Sequence, residues 1–165
     1  MKKSMMPIVA LAALAGCGDD PENVPLKGEW KTVTRVDSLS IDGMSLGRSD
    51  FPPEFLALEG EEEKCFEPML AHRDWQEATL NRNVRGTCTI DTFDATPTSI
   101  EMKGRCEGVE PRMNFNPAVE GRVRQAEDSY RLVMTIRGSA ELPEVPGTHV
   151  IQAIAVQEGT RLGDC

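Results

Sequence analysis

The chain has 165 residues, with 18 Lys and Arg against 27 Asp and Glu, and a formal net charge of −9 at pH 7. Such a surface repels a phosphate backbone, whose binding requires clustered lysine and arginine, so nucleic acid is excluded as an expected partner. With only 2 histidines and 5 cysteines, few side chains are available as strong metal ligands or nucleophiles.

Residues 1–16 have the layout of a secretory signal peptide. Lys2 and Lys3 form a basic segment, which an apolar stretch over residues 5–15 follows directly. A helix of that stretch would cover only about half of a hydrocarbon core about 30 Å thick, because each residue rises about 1.5 Å. A signal peptide is therefore a better interpretation than a membrane-spanning helix.

The segment Leu14-Ala15-Gly16-Cys17 resembles the lipobox of bacterial lipoproteins. The resemblance implies that the Cys17 sulfur receives a diacylglyceryl group, that cleavage occurs before Cys17, and that the new amino terminus is acylated. Two or more acyl chains hold a protein firmly at a membrane. The alternative is an ordinary signal peptide in which Cys17 keeps a free thiol.

The residue after the lipobox cysteine bears on which membrane holds the anchor. In the Gram-negative lipoproteins that this segment resembles, aspartate at that position favours retention at the inner membrane. Gly18 therefore favours the periplasmic face of the outer membrane. Asp19, one position later, leaves the inner membrane as the alternative location.

Cleavage before Cys17 would leave 149 residues, enough for one domain. The loss of Lys2 and Lys3 leaves 16 basic against 27 acidic side chains, a net charge of −11. Residues 17–27 are charged and twice interrupted by proline, which predicts a tether of about 36 Å when fully extended. The expected organisation is a signal peptide at 1–16, a lipid anchor with a flexible tether at 17–27, and one domain at 28–165.

The first part of that domain is predicted to combine strands with short helices. Residues 28–36 alternate with period two, with Trp30, Thr32, Thr34 and Val36 on one face, and a short strand is predicted at 38–41. Short helices are expected at 52–58 and 68–80, separated by a solvated turn at the glutamates of 59–63.

The second half of the chain is predicted to consist almost entirely of β-strands. On one strand Ile100, Met102, Gly104 and Cys106 alternate with charged residues, which is typical of a strand with one buried face. Strands separated by short turns without helices predict an antiparallel meander. The expected fold class is therefore mostly β, a meander forming a curved sheet or partial barrel with one or two short helices. The strands are predicted at 86–93, 99–106, 112–115, 119–124, 129–138 and 148–157.

Four cysteines remain once Cys17 is assigned to lipid: Cys65, Cys88, Cys106 and Cys165. An even number in an exported chain predicts two disulfides. Of the three connectivities, pairing between near neighbours favours Cys65 with Cys88 and Cys106 with Cys165. A zinc site of four thiolates is the weaker alternative, because no CxxC pair is present.

These segments together resemble the bacterial family called domain of unknown function 3617. The resemblance extends over residues 28–165, and the terminal Gly-Asp-Cys after a basic residue is its most specific part. It implies a secreted or lipid-anchored domain that carries cysteines, and it supplies no activity. The similar segments are Gly28-Glu29-Trp30, the surroundings of Cys65, Cys88 and Cys106, and Arg161-Leu162-Gly163-Asp164-Cys165.

No catalytic or cofactor-binding constellation is visible in the sequence. His72 lies two residues before Asp74, and residues two apart on a helix point away from each other, so surface histidines are expected. A nucleophile elbow, a phosphate-binding loop and an HExxH helix are all missing. Calcium binding by the glutamates of 59–63 and copper binding by scattered methionines are weaker interpretations than a solvated turn and core filling. The prediction is a protein that is not an enzyme and holds neither a cofactor nor a metal.

The inward residues Met102, Tyr130 and Met134 are candidates for lining a ligand cavity if the sheet closes incompletely. A filled core is the favoured interpretation of the same residues. The predicted function is a periplasm-facing binding module for a small apolar ligand or another envelope protein. The alternative is an inhibitor of a basic cell-wall hydrolase, which a charge of −11 would attract.

Overall fold

The computed structural model describes residues 22–84, 86–109, 114–142 and 145–165. The predicted signal peptide and the lipidation site Cys17 lie outside the described residues, as do residues 112 and 113 of the strand predicted at 112–115. The other half of that prediction was wrong, because Asn114 lies in a turn and Phe115 forms an isolated bridge. None of the helices within the described ranges is long and apolar enough to cross a membrane.

The described part of the chain is mostly strand, as predicted. One 3-10 turn, Arg48–Asp50, precedes the first helix. The elements are β1 Gly28–Ile41, β2 Met44–Ser45, α1 Pro53–Leu56, β3 Gly60–Phe66, α2 Arg73–Asn83, β4 Thr87–Ala95, β5 Ser99–Glu107, β6 Ala118–Gln125, β7 Ser129–Glu141 and β8 Thr148–Gly163.

All eight strands belong to one antiparallel sheet, in the order β2-β1-β8-β7-β6-β5-β4, with β3 also paired to β1. Strands β2 and β3 share the edge of β1 that faces away from β8. The meander is confirmed from β4 to β8, and β8 then returns to lie beside β1. The sheet is open, because no pairing joins β4 to the β1 side among the described residues.

Strand β1 is one continuous strand, so the prediction of separate strands at 28–36 and 38–41 was wrong. A register shift between Val36 and Ser38 marks a bulge. The extra residue places Leu39 in the core after Val36, since a bulge changes which residues of a strand face inward. Trp30, Thr32 and Val36 are buried on the predicted face.

Two other sequence predictions also differ from the structure. The glutamates at 59–63 do not form a turn, because most of them belong to β3, whose backbone pairs with β1 from Gly28 to Thr34. The helix predicted at 68–80 begins only at Arg73 and continues to Asn83. His72 before it is extended, and Pro68 lies in the irregular segment that precedes it.

Bending of the sheet brings the inward faces of distant strands together. The rings of Trp30 on β1 and Tyr130 on β7 lie 5.7 Å apart. Both pack in one cluster with Ile100 of β5 and Val123 of β6. The core therefore lies on the concave face.

Helix α2 lies along the free edge of β4. The Asn81 side chain donates to the Cys88 carbonyl at 3.0 Å and accepts from the Cys88 amide at 2.6 Å. The Ile90 amide donates to the Glu77 carboxylate at 3.2 Å, and Arg73 donates to the Ile90 carbonyl. Side chains of the helix therefore satisfy backbone groups that a further strand would otherwise pair.

The residues just before β1 pack against the domain. The Asn23 side chain donates to Glu67 at 3.2 Å, and the Leu26 amide donates to the carbonyl of Glu127 at 2.9 Å. Pro25 is buried, and Arg161 donates to the carbonyl of Lys27 at 2.8 Å. The part of the predicted tether from residue 23 onward thus lies on the domain surface.

Candidate binding surface

The three predicted ligand-lining residues lie in the packed interior. Met102, Tyr130 and Met134 are 3%, 5% and 8% exposed. The two methionines share a cluster with Cys88 and Cys106, whereas Tyr130 belongs to the neighbouring cluster around Trp30. The structure therefore divides the predicted set between two clusters.

Two glycines show how closely this interior is packed. A Cβ atom added to Gly121 would overlap the Met102 side chain, and one added to Gly159 would overlap the Tyr130 ring. The Tyr130 hydroxyl donates to the Gln157 side chain at 3.2 Å, and burial raises the pKa of Tyr130. These three side chains do not line either of the two cavities described next. Their role as ligand contacts stays a prediction.

Two ligand-sized cavities lie along β7 and β8 instead. One, of 310 Å³, is lined by Ala118, Glu120, Thr135, Arg137 and Gln152. The other, of 320 Å³, is lined by Asn114, Asn116, Ser139, Ala140, Glu141 and Thr148.

Strand register shows that the two cavities are adjacent. Arg137 pairs with Gln152, and Glu141 pairs with Thr148, on one β7–β8 ladder. Between these two pairs lies the pair of Ser139 with Val150. We call the combined depression the outer trough. From Thr135 to Glu141 it is about 20 Å long, since a strand rises about 3.3 Å per residue.

The lining of the outer trough is mostly polar. It offers an arginine donor from Arg137, a carboxylate from Glu120 and an amide from Gln152. Val150, which pairs with Ser139 between the two sets of lining residues, is an apolar side chain with 37% exposure. Within the described ranges Arg137 forms neither an ion pair nor a hydrogen bond through its side chain.

The sequence predicted the outward orientation of these side chains but not the trough. Alternation places Thr135 and Arg137 opposite Met134 and Ile136. It cannot show that β6, β7 and β8 together form a depression. An arginine at an outward position of a long strand was the available signal.

The two disulfides join Cys65 to Cys165 and Cys88 to Cys106. The predicted pairing of Cys65 with Cys88 and Cys106 with Cys165 was therefore wrong. Cys88 lies directly opposite Cys106 on the neighbouring strand. Cys65 pairs with Glu29 of β1, which in turn pairs with Gly163 near the end of β8, so this second bridge passes across β1.

The two disulfides differ in loop length and in exposure. Cys88 and Cys106 are 18 positions apart and buried, whereas Cys65 and Cys165 are 100 positions apart and exposed. Loop-closure entropy gives stabilisations of about 3 and about 5 kcal/mol respectively. Both stabilisations arise mainly because a closed loop lowers the conformational entropy of the unfolded chain.

The two histidines occupy different settings. His72 directly precedes α2, and Asp74 lies in the first turn of that helix. The Nδ1 atom of His149 lies 2.7 Å from the Asp42 carboxylate, which also accepts from the Val150 amide at 2.8 Å. The hydrogen bond with Asp42 raises the pKa of His149, and its counterpart from His149 lowers the pKa of Asp42. This pair joins the β1–β2 turn to the start of β8.

Side chains that could hold a metal ion do not cluster in the described part of the chain. The glutamates Glu61, Glu62 and Glu63 stand along β3, each more than 50% exposed. Lys31 of β1 lies 2.6 Å from Glu61. The glutamates therefore line an exposed strand.

Comparison with known protein families shows which family the chain belongs to. Residues 25–165 match the family described as Protein of unknown function (DUF3617). The chain belongs to the DUF3617 family. This DUF3617 match covers the whole sheet, α2 and all four disulfide cysteines, and it begins at Pro25, within the segment that packs against Glu127. No curated protein and no solved structure matches the DUF3617 chain.

Proposed function

We propose that this DUF3617 protein is a periplasm-facing module, anchored by lipid on Cys17, that binds another envelope protein through the outer trough. It acts by binding and not by turnover. The observation that carries the proposal is the contrast between the two faces of the sheet. The concave face is filled by side chains, whereas the convex face holds the cavity at Arg137, and a second cavity of ligand size lies next to it along β7 and β8.

The shape of the outer trough favours a polypeptide. A length of about 20 Å accommodates about six residues of an extended chain. Arg137, Gln152 and Asn116 offer donors and acceptors along it, and Val150 offers an apolar contact. A small apolar ligand would leave those polar groups unpaired, which is unfavourable. Among the two expected ligand classes, another envelope protein is therefore the better one.

The envelope location rests on two features of the chain. The segment ending at Cys17 resembles a lipobox, and Gly18 after it favours the outer membrane. Two disulfides, Cys65–Cys165 and Cys88–Cys106, are typical of proteins from an oxidising compartment. Mass spectrometry of the purified chain tests the anchor. An intact precursor, or a mature chain without acyl groups, would contradict it.

Site-specific photo-crosslinking in intact cells tests the binding surface. A photoreactive residue at Thr135 or Ser139 should yield one discrete adduct with another envelope protein. The matched control is the same residue at Ala78, which is exposed on α2, far from the trough. Adducts that are equal at all three positions, or absent at both trough positions, would contradict the proposal.

Affinity for the protein identified in that adduct gives a second test. Arg137→Ala should weaken binding about tenfold, because it removes a charged donor that has no partner within the described chain. Arg82→Ala is the control, since Arg82 is exposed on α2 and donates only to Thr79. Equal affinities of the two variants, measured by calorimetry, would place the binding surface elsewhere.

The exposed glutamates of β3 support a second candidate function, inhibition of a basic cell-wall hydrolase. Glu61, Glu62 and Glu63 present carboxylates along one edge of the sheet, and complementary charge accelerates association with a basic protein. The mature chain should then inhibit lysis of peptidoglycan by a basic muramidase. Replacement of the three glutamates with glutamine should abolish inhibition, whereas Arg137→Ala should not.

A further inference from the structure

The exposed disulfide fastens a strand that is otherwise weakly attached. Residues from Gly60 to Cys65 of β3 are all exposed, and Phe66 is half-buried. Strand β3 pairs only with β1 in the described part of the chain. Beyond the backbone ladder, Lys31 of β1 pairs with Glu61 and Glu63, the Thr32 hydroxyl donates to the Glu62 carbonyl at 3.3 Å, and the Phe66 ring lies 6.3 Å from that of Trp30.

The bridge lies at the end of β3 that pairs with the start of β1, where β8 also ends. Cys65 is the penultimate residue of β3, and Cys165 follows two residues after the end of β8 at Gly163. Because β1 runs between them, the bridge holds both neighbours of β1 together. Cys88 and Cys106, by contrast, are 0% and 2% exposed in the core.

We propose that Cys65–Cys165 is a site of thiol–disulfide exchange, opened by a dithiol protein of the envelope. Exchange requires direct attack by a thiolate on a disulfide sulfur, so an exposed bridge reacts and a buried bridge does not. The inference rests on the exported location given above and is independent of the outer trough.

The exchange proceeds in two balanced steps. A thiolate of the dithiol protein attacks one sulfur of the bridge, the S–S bond breaks, and a mixed disulfide forms while the other cysteine leaves as a thiolate and takes a proton. The second thiol of the partner, as thiolate, then breaks the mixed disulfide. The partner is oxidised to a disulfide, and Cys65 and Cys165 are reduced by two electrons to thiols.

Opening of the bridge would release β3 from one end. The edge of β1 from Gly28 to Thr34, which β3 now covers, would become available to a strand of another protein. Strand addition of this kind obtains its affinity from backbone hydrogen bonds. The remaining sheet, from β1 through β8 to β4, keeps its ladder and its buried disulfide.

Graded reduction of the mature, oxidised chain tests the exchange site. Dithiothreitol is the probe, followed by alkylation and mass spectrometry of the four cysteines. Cys65 and Cys165 should be alkylated at least about tenfold faster than Cys88 and Cys106, because attack on the buried pair requires unfolding. Equal rates for the two pairs would overturn the proposal.

Hydrogen exchange tests the release of the strand. Amides of residues 61–65 should exchange about tenfold faster after partial reduction, while those of β5 to β7 stay unchanged. Cys65→Ser combined with Cys165→Ser should show the fast exchange without reductant, and dithiothreitol should not change it further. If amide exchange in β3 stays unchanged after the wild-type disulfide is reduced, the disulfide does not hold the strand in place. Loss of trough binding has no influence on either measurement.

Discussion

The two edges of the sheet are protected by different means. At the β4 edge, Asn81 and Glu77 of α2 pair with the backbone of Cys88 and Ile90, and the adjacent disulfide is buried. At the β3 edge no helix covers the strand in the described chain, the side chains are exposed glutamates, and the disulfide is exposed. Both devices prevent association between edges. Only the disulfide at the β3 edge is exposed to other proteins, so the two edges differ in whether their covalent link can be reached.

The largest expected effect on stability is that of removing the exposed bridge. Cys65→Ser together with Cys165→Ser should lower the free energy of unfolding by about 4–5 kcal/mol, because a loop of 100 positions is no longer closed in the unfolded chain. Urea unfolding measures it. If the free energy of unfolding falls by less than about 1 kcal/mol, the exposed disulfide does not distinguish the β3 edge from the β4 edge.

The next effect concerns the helix that covers the other edge. Asn81→Ala should cost about 2 kcal/mol, because the amide and carbonyl of the buried Cys88 both lose their partner. Arg82→Ala, one residue further along α2, should change stability by less than about 0.5 kcal/mol. Equal effects of the two variants would mean that α2 protects β4 by coverage alone.

The other end of β1 is held by the side-chain pair of Asp42 with His149. The stability that this pair contributes should depend on pH. The pKa of His149 is raised from 6.5, so its contribution is complete below that pH and is lost as pH rises through the higher folded value. The pKa of Asp42 is lowered from 3.8, so its contribution is lost only as pH falls through the lower folded value.

His149→Gln should therefore destabilise the protein most at about pH 5–6 and very little at about pH 9. The measurement is the thermal midpoint over that range, beside Asp42→Asn and the double variant. The double variant should lose no more than either single variant. A difference independent of pH would show that the pair is not charged in the folded protein.

The smallest expected effect on stability belongs to the glutamates of β3. Replacement of Glu61, Glu62 and Glu63 with glutamine should change the free energy of unfolding by less than about 0.5 kcal/mol. The variant should nevertheless form dimers, because an uncharged exposed edge pairs with other edges. Light scattering after gel filtration measures this. The same change at Glu101, Glu107 and Glu127, which lie away from this edge, should leave a monomer.

Local patterns in the sequence were enough to predict the strands of the second half. Along β5 and β6 buried and exposed residues alternate, β7 follows the same period except for half-buried residues in its middle, and each hairpin joins neighbours. The period of two therefore fixed both the strands and the face that is buried. The fold class and the antiparallel meander from β4 to β8 followed from these local features.

Features that depend on distant pairing could not be predicted. The bridge from Cys65 to Cys165 requires β1 to lie between β3 and β8, and nothing in the spacing of the cysteines reveals that order. Strand β3 itself was missed because its glutamates lack alternation and its stability comes from the backbone of β1. The outer trough was missed for the same reason, since three strands create it.

The contacts of residues 23–27 with the domain determine how the domain would be oriented at a membrane in the proposed lipid-anchored form. With acylated Cys17, about six residues, roughly 20 Å of chain, separate the lipid from the hydrogen bond that Asn23 makes with Glu67. The β6–β7 turn at Glu127 would then rest near the head groups. The ladder pair of Glu141 with Thr148 lies toward the opposite end of β7, so the trough would open into the aqueous space. The Cys65–Cys165 bridge, close to the end of β8 that pairs with the start of β7, would lie on the membrane side.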